Sequence, residues 1–238
     1  MKAMIFAAGY GERLRPLTLS VPKALVPVNH KPMLQWAIEY LTRYGVDEIW
    51  INTHYLADKI EDFIQRQNYP IPIHLSYEKE ILGTGGGLFL LRENWDEDFL
   101  VINADILCDA DLSGLMTHHR ENASMVSLMV NHRKKDSMLV VDEKNCLKGL
   151  SSGYRDSMPE NYRQVNFCGI HLISPKLFSF GDQNPEFSII MEYLKLLGQG
   201  LEVSVFDIKD AYWEDIGTLE TLKKAEENFK GFTPRHTR

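Results

Sequence analysis

The chain has 238 residues, enough for one large domain or two small ones and for a sizeable core without disulfides or a structural metal. Its 44% hydrophobic, 25% charged and 11% aromatic content argues against disordered, collagen-like and coiled-coil readings. Lysine and arginine number 26 against 33 aspartates and glutamates, and a net charge of −7 argues against a dedicated nucleic-acid binder, because neutralising phosphates takes a clustered basic face.

Residues 2–7 (KAMIFA) read as a buried strand; the apolar start resembles a short signal peptide but is broken at once by Gly9-Tyr10-Gly11-Glu12-Arg13. A Gly/Pro-rich loop runs to about residue 31. Pro32 suits the first turn of a helix whose apolar Met33, Trp36, Ala37, Tyr40, Leu41 and Tyr44 share one face, closed by Gly45. Residues 48–53 read as a strand, Leu56, Ile60, Phe63 and Ile64 mark a helix, and 71–77 read as a third strand. A glycine loop opens a helix over 84–93, and 98–103 form a central strand. This alternation predicts a parallel sheet covered on both faces. Runs at 124–131, 137–142, 145–150 and 164–173 add antiparallel strands, followed by a helix over 187–197, strands near 202–208 and 211–214, and a last helix carrying Leu219, Leu222 and Ala225. One α/β unit over 1–230 with a frayed tail at 231–238 is the economical reading. No apolar run approaches the roughly 18 residues of a membrane span. Cys108, Cys146 and Cys168 contain no close pair, which supports neither a disulfide framework nor a zinc site and suits a reducing cytoplasm.

Chemistry concentrates in the loop after the first strand, which holds Gly9, Gly11, Arg13, Arg15, Pro16, Pro22 and Lys23. In an open α/β sheet ligands bind outside the carboxyl ends of the strands, and glycines there let backbone N–H groups approach phosphate oxygens. Two familiar phosphate motifs fail: a dinucleotide fingerprint needs glycine where Leu14 stands, and no Gly-Lys-Ser/Thr exists for a P-loop. A tight turn with solvated cations would also fit. Three cations on one long loop of an acidic chain favour phosphate binding.

Asp105 ends the strand DFLVIN, where it could cap a turn or offer a hard oxygen to Mg²⁺ beside phosphates. Thr218 looks like the N-cap of the last helix, and Gly217 like the turn before it. Gly85, Gly86 and Gly87 are poor for helix propensity, so something else requires them; a flexible loop and a nucleotide contact both fit. His118 and His119 point in two directions from one helix, and Cys168 reads as a small buried hydrophobe.

The run Ala7 to Thr18 (AAGYGERLRPLT) followed by Pro22 to Val28 (PKALVPV) resembles the signature of the sugar-1-phosphate nucleotidyltransferases, which join a nucleoside triphosphate to a sugar 1-phosphate and release pyrophosphate. The resemblance implies the nucleotide-diphospho-sugar transferase fold: α/β, a Rossmann-like open mixed, mostly parallel sheet with helices on both faces and a small antiparallel β subregion. It also implies that Ala8, Gly9 and Gly11 cradle the nucleotide, that Arg13 and Lys23 are catalytic cations on its phosphates, and that Gly83, with Glu78 nearby, meets the nucleobase. Asn103 and Gly169 would contact the sugar, and Asp105 and Asp215 would hold Mg²⁺. The implied partners are a nucleoside triphosphate and a sugar 1-phosphate, with no nucleic acid and no membrane; a homo-oligomer is left open. Ala104 stands where the family usually has glycine, and the Glu-Lys-Pro element of many members is missing, with Leu147-Lys148-Gly149-Leu150 in about that region. The compact length and triple glycine resemble members acting on N-acetylmuramate 1-phosphate with UTP. Mannose 1-phosphate with GTP is the alternative, and a nucleotide-sugar sensor without catalysis is the rival of another class.

Overall fold

A computed structural model describes residues 1–133, 138–154, 157–180 and 186–232. In chain order it contains β1 (Lys2–Phe6), a short ladder of β2 (Pro27–Val28) with β3 (Lys31–Pro32), α1 (Met33–Arg43), β4 (Glu48–Thr53), α2 (Ala57–Arg66) and β5 (Ile73–Tyr77). Then come α3 (Gly83–Leu90), β6 (Phe99–Asn103), β7 (Ile106–Cys108), α4 (Leu112–Glu121), β8 (Val126–Asn131), β9 (Leu139–Asp142) and β10 (Leu147–Leu150). The chain continues through β11 (Tyr162–Ile173), α5 (Ile189–Gly198), β12 (Val203–Asp207), β13 (Trp213–Asp215) and α6 (Leu219–Asn228).

Strands β5, β4, β1 and β6 lie side by side and parallel, as the alternation predicts. The chain leaves β1 toward β4 on one side and returns as β6 on the other, so the sheet order reverses at β1–β6 and opens a crevice at their carboxyl ends. Burial on both faces is visible in the strands themselves. In β1, Ala3 and Ile5 join the layer under α1, whereas Met4 and Phe6 join the layer under α3 and α5. Leu100 and Ile102 of β6 face the first layer, and Phe99 and Val101 the second.

Helix α1 is buried more broadly than its predicted face. Leu34 and Ile38 pack into the sheet layer, while Met33 and Trp36 meet Ala225 and Phe229 in a third cluster under α6. Pro32 is its N-cap rather than a first-turn residue. Past β6 the sheet turns antiparallel: β11 runs against β6, β8 and β9, and β10 against β9. Strand β12 instead pairs parallel with β8, because the chain crosses over through α5 before returning. The register of β11 against β8 shifts between Phe167 and His171, and Gly169 in that interval has φ +72°. Phe232 belongs to the expected frayed tail, yet it stacks on Tyr40 at 5.6 Å and meets Trp36 edge-on at 5.4 Å, because an aromatic ring finds apolar surface there. Residues 233–238 lie outside the described residues.

Among the described residues no helix is long and apolar enough to cross a membrane. All three cysteines are buried as free thiols. Burial pushes the Cys108 thiol up to about 11 and raises that of Cys168 too, which makes both poor nucleophiles. His119 sits at 2% exposure with Nδ1 2.8 Å from Ser127 Oγ, a core contact made from the buried side of α4.

Candidate active site

A cleft of about 560 Å³ opens at the carboxyl ends of β1 and β6. Its position follows from the ladder: Ala104 N donates to Phe6 O at 3.0 Å, carrying the β1–β6 pairing one step beyond Asn103 and setting Asp105 beside the loop that leaves β1. That loop is long but ordered. Short 3₁₀ turns at Glu12–Leu14, Leu17–Leu19 and Lys23–Leu25 fold it back on itself, and Leu14 and Ala24 anchor it in the core. Leu14, the residue that defeats the dinucleotide fingerprint, is therefore the plug of the loop.

Ala8, Gly9, Gly11, Arg13, Lys23 and Asp105 all line this cleft. A Cβ at Gly9 would meet nothing within 4 Å, so protein packing leaves that position open. At Gly11, with φ +66°, a Cβ would lie 2.9 Å from Lys23 Cβ, and Thr18 Oγ1 donates to Gly11 O at 2.7 Å; this glycine is required by the loop's own fold. The ammonium of Lys23 donates to Asp105 Oδ2 in a largely shielded ion pair. Arg15, the third cation of the loop, is not a lining residue; it is exposed and pairs with Glu12 Oε1 at 3.3 Å. The local positive charge thus comes from two cations, not three.

Asp215 arrives beside Asp105 through the β7–β13 ladder. Asp215 pairs with Ile106, and Ile216 N donates to Asp105 O at 2.9 Å. Gly217 follows into the cleft wall, and a Cβ there would stand 2.7 Å from Arg13 Nη2 and 3.1 Å from Asp215 Oδ1. One glycine therefore lets the guanidinium approach this strand end. The turn is held by Thr218, which caps α6: its Oγ1 accepts from Thr221 N, and Thr221 Oγ1 accepts from Thr218 N, both at 3.1 Å.

Asn103 lines the cleft, and Gly169 lies behind it: with φ +72°, a Cβ on Gly169 would be 3.0 Å from Asn103 Nδ2 and 2.7 Å from Ile106 Cγ1. Gly83 also reaches the cleft, with Thr84 and Ile81. Glu78 does not. It is 2% exposed, and its carboxylate accepts from Asn52 Nδ2 at 2.7 Å and from Leu82 N at 2.9 Å. Asn52 in turn accepts from Ala7 N at 2.9 Å, so a buried amide and carboxylate tie the loop after β1 to the loop before α3. Sequence reasoning missed Asn52. Nothing local marked it, because its role lies in contacts to Ala7 and Glu78, 45 and 26 residues away. Lys148, in the region of the missing Glu-Lys-Pro element, is held by Asp142 Oδ2 at 2.8 Å on the β9–β10 hairpin and does not line the cleft.

Residues 2–139 match the Nucleotidyl transferase family. The chain belongs to this family. The match covers every lining residue named above except Gly217, while Asp215 and Gly169 lie beyond it. The chain is 33% identical to mannose-1-phosphate guanyltransferase beta-A of Xenopus laevis over 91% of its own length and 61% of that protein. It is 29% identical to the UTP–glucose-1-phosphate uridylyltransferase of Synechocystis sp. over 92% of its length and 61% of that protein. It thus spans about three-fifths of the curated relatives it matches. Among solved structures, HddC from Yersinia pseudotuberculosis superposes with a TM-score of 0.79 at 26% identity, covering 96% of this chain and 99% of that one. That protein is also known in complex with GMP-PN. The architecture of this nucleotidyl transferase family member is accordingly the nucleotide-diphospho-sugar transferase fold, as the opening signature implied.

Proposed function

We propose that the chain transfers a nucleoside monophosphate from a nucleoside triphosphate to a sugar 1-phosphate, releasing pyrophosphate and giving a nucleoside diphosphate sugar. The observation that carries this reading is the Lys23–Asp105 pair in a cleft whose loop leaves Gly9 open to a ligand. A sugar 1-phosphate oxygen attacks the α-phosphorus, a new P–O bond forms, and the bond from the α-phosphorus to the bridging oxygen breaks as pyrophosphate leaves. The side chains do little covalent work, so rate comes from positioning and charge. In this reading backbone groups of Ala8, Gly9 and Gly11 hold the nucleotide, Arg13 the β/γ-phosphates and Lys23 the α-phosphate. Gly83 meets the nucleobase, Asn103 and Gly169 border the sugar, and Glu78 acts from beneath by fixing Asn52 and Leu82 N.

Two carboxylates at neighbouring strand ends, both hard oxygen donors, fit Mg²⁺, which takes one or two carboxylates together with substrate phosphates. Asp105 and Asp215 would hold it, and when bound it offsets phosphate charge and orients the reacting groups. Lys23, which donates to one oxygen of Asp105, would stand beside it at the cleft wall.

For the substrates, GTP with mannose 1-phosphate is the better supported pair. Mannose-1-phosphate guanyltransferases are among the relatives above 30% identity, and the Yersinia neighbour binds GMP-PN. The case for UTP with N-acetylmuramate 1-phosphate rests on the compact length and the triple glycine, and two of those glycines have packing reasons of their own: a Cβ at Gly85 or Gly87 would strike Phe187 or Glu78. A cytoplasmic setting is part of the reading, supported by three unpaired thiols. The deciding experiment incubates the protein with Mg²⁺, each of UTP, GTP, CTP and dTTP, and a panel of sugar 1-phosphates, and measures pyrophosphate. Release with GTP and mannose 1-phosphate is expected. Silence across the panel with nucleotide binding intact would replace the enzyme by a nucleotide-sugar sensor.

A further inference from the structure

The loop that opens α3 is shaped by a residue remote in sequence. Phe187, just ahead of α5, exchanges two backbone hydrogen bonds with it: Phe187 N donates to Leu82 O at 3.1 Å, and Gly85 N donates to Phe187 O at 2.9 Å. A third bond locks the same segment, from Ile189 N to Thr84 Oγ1 at 3.0 Å. The Phe187 ring fills the space a side chain at residue 85 would need; a Cβ on Gly85 would fall 2.2 Å from Cδ2 and Cε2. A Cβ on Gly83, whose φ is +68°, would fall 2.6 Å from Phe187 O. The ring also meets Phe89 edge-on, with centroids 5.3 Å apart. Gly83 and Thr84, the two residues so gripped, line the cleft.

We propose that Phe187 is a positioning residue: its backbone and ring clasp residues 82–85 and fix the shape in which this loop receives the nucleobase. The inference rests on the proposed nucleotidyl transfer and adds to it a determinant of nucleotide affinity and choice that does not touch the substrate. A residue of this kind alters binding of the nucleotide equally in ground and transition states, so its loss raises KM while leaving kcat near its original value.

The test is a double-mutant cycle on the full chain, read by steady-state pyrophosphate release with GTP and UTP. Phe187→Ala is expected to raise the nucleotide KM about tenfold with kcat within about twofold, and to narrow the preference between the two bases. Phe187→Leu keeps apolar volume against Phe89 and gives a smaller shift of the same kind, which serves if the alanine variant does not fold. Gly85→Ala alone raises KM further, because its methyl and the ring compete for one space. The decisive sign is in the double variant: Gly85→Ala with Phe187→Ala recovers nucleotide affinity relative to Gly85→Ala alone. Losses that simply add, or a fall in kcat at constant KM, would overturn the clasp while leaving the reaction standing. A wild-type protein silent with every nucleotide would overturn the reaction and, with it, the nucleobase role of the clasp.

Discussion

Two glycine-bearing segments meet at the cleft, the loop after β1 and the start of α3, and single glycines in them serve opposite ends. In the loop after β1, Gly9 has nothing within 4 Å of where a side chain would go, and the cations Arg13 and Lys23 are presented to the same space. In the first two turns of α3, Gly85 and Gly87 are each pressed against the protein itself: a Cβ there would fall 2.2 Å from the Phe187 ring and 2.5 Å from Glu78 Oε1. Glycine content alone does not mark a ligand contact. Gly9 withholds a side chain so that a ligand can approach, whereas Gly11 of the same loop and Gly85 and Gly87 of α3 do so to let the protein's own groups approach.

The comparison is tested most severely at the charged end of the first loop. Asp105→Asn or Lys23→Ala should lower pyrophosphate release about 100-fold or more, the scale of one lost charge-stabilising group, with the thermal transition still cooperative. Either variant retaining near-full activity would remove that residue from the phosphate chemistry. The glycines then give a paired contrast. Gly87→Ala places a methyl 2.5 Å from Glu78 Oε1 and 2.9 Å from Asn52 Nδ2, so denaturant melts should show a loss of about 1–3 kcal/mol, as expected for overpacking. Gly9→Ala should leave the melting midpoint unmoved and raise the nucleotide KM. Equal stability losses at both positions would erase the distinction between Gly9 and Gly87.

The architecture was legible wherever local pattern and burial agree. The β1, β4, β5 and β6 strands and helices α1 and α2 appear close to their predicted limits because alternating strands and a helical apolar face leave direct marks on the sequence. The helix of the glycine loop begins with the residues least suited to it, Gly83 to Gly87, because tertiary packing on Phe187 and Glu78 outweighs propensity. In the site, Lys23 and Asp105 were legible as one cation and one strand-end carboxylate, but their pairing depends on Ala104 extending the β1–β6 ladder. Asn52 and Phe187 left no local signal. Each works through partners distant in the chain, and no spacing rule connects Asn52 to Ala7 or Phe187 to Gly85.

Acid should cost stability through a buried histidine that holds the helix behind Phe187. The helix behind Phe187 is moored by Tyr193, whose hydroxyl lies 2.7 Å from Nδ1 of the fully buried His171. Burial pushes the His171 pKa down to about 3, so the folded protein keeps the ring neutral where the unfolded chain begins to bind a proton. Its contribution is complete above the ordinary histidine pKa and is lost as pH falls from there toward the folded value. Urea melts at about pH 5 should therefore show a loss of about 2 kcal/mol relative to neutral pH, and His171→Gln should flatten that slope. An unchanged slope in the variant would assign the acid response to other groups.

The smallest effect isolates the third wall of the cleft, where neither kind of glycine loop is involved. Thr218→Ala removes the acceptor for Thr221 N and leaves the first turn of α6 uncapped, a change worth about 1 kcal/mol of stability. Gly217 N still donates to Thr221 Oγ1 at 3.1 Å, so the turn beside Arg13 keeps one of its ties when the cap is gone. The nucleotide KM should accordingly stay within about twofold of the original, the pattern of a residue that contributes to the fold but not to transition-state binding. A larger rise in KM would mean that the cap of α6, rather than the loop after β1, sets where the Arg13 guanidinium stands.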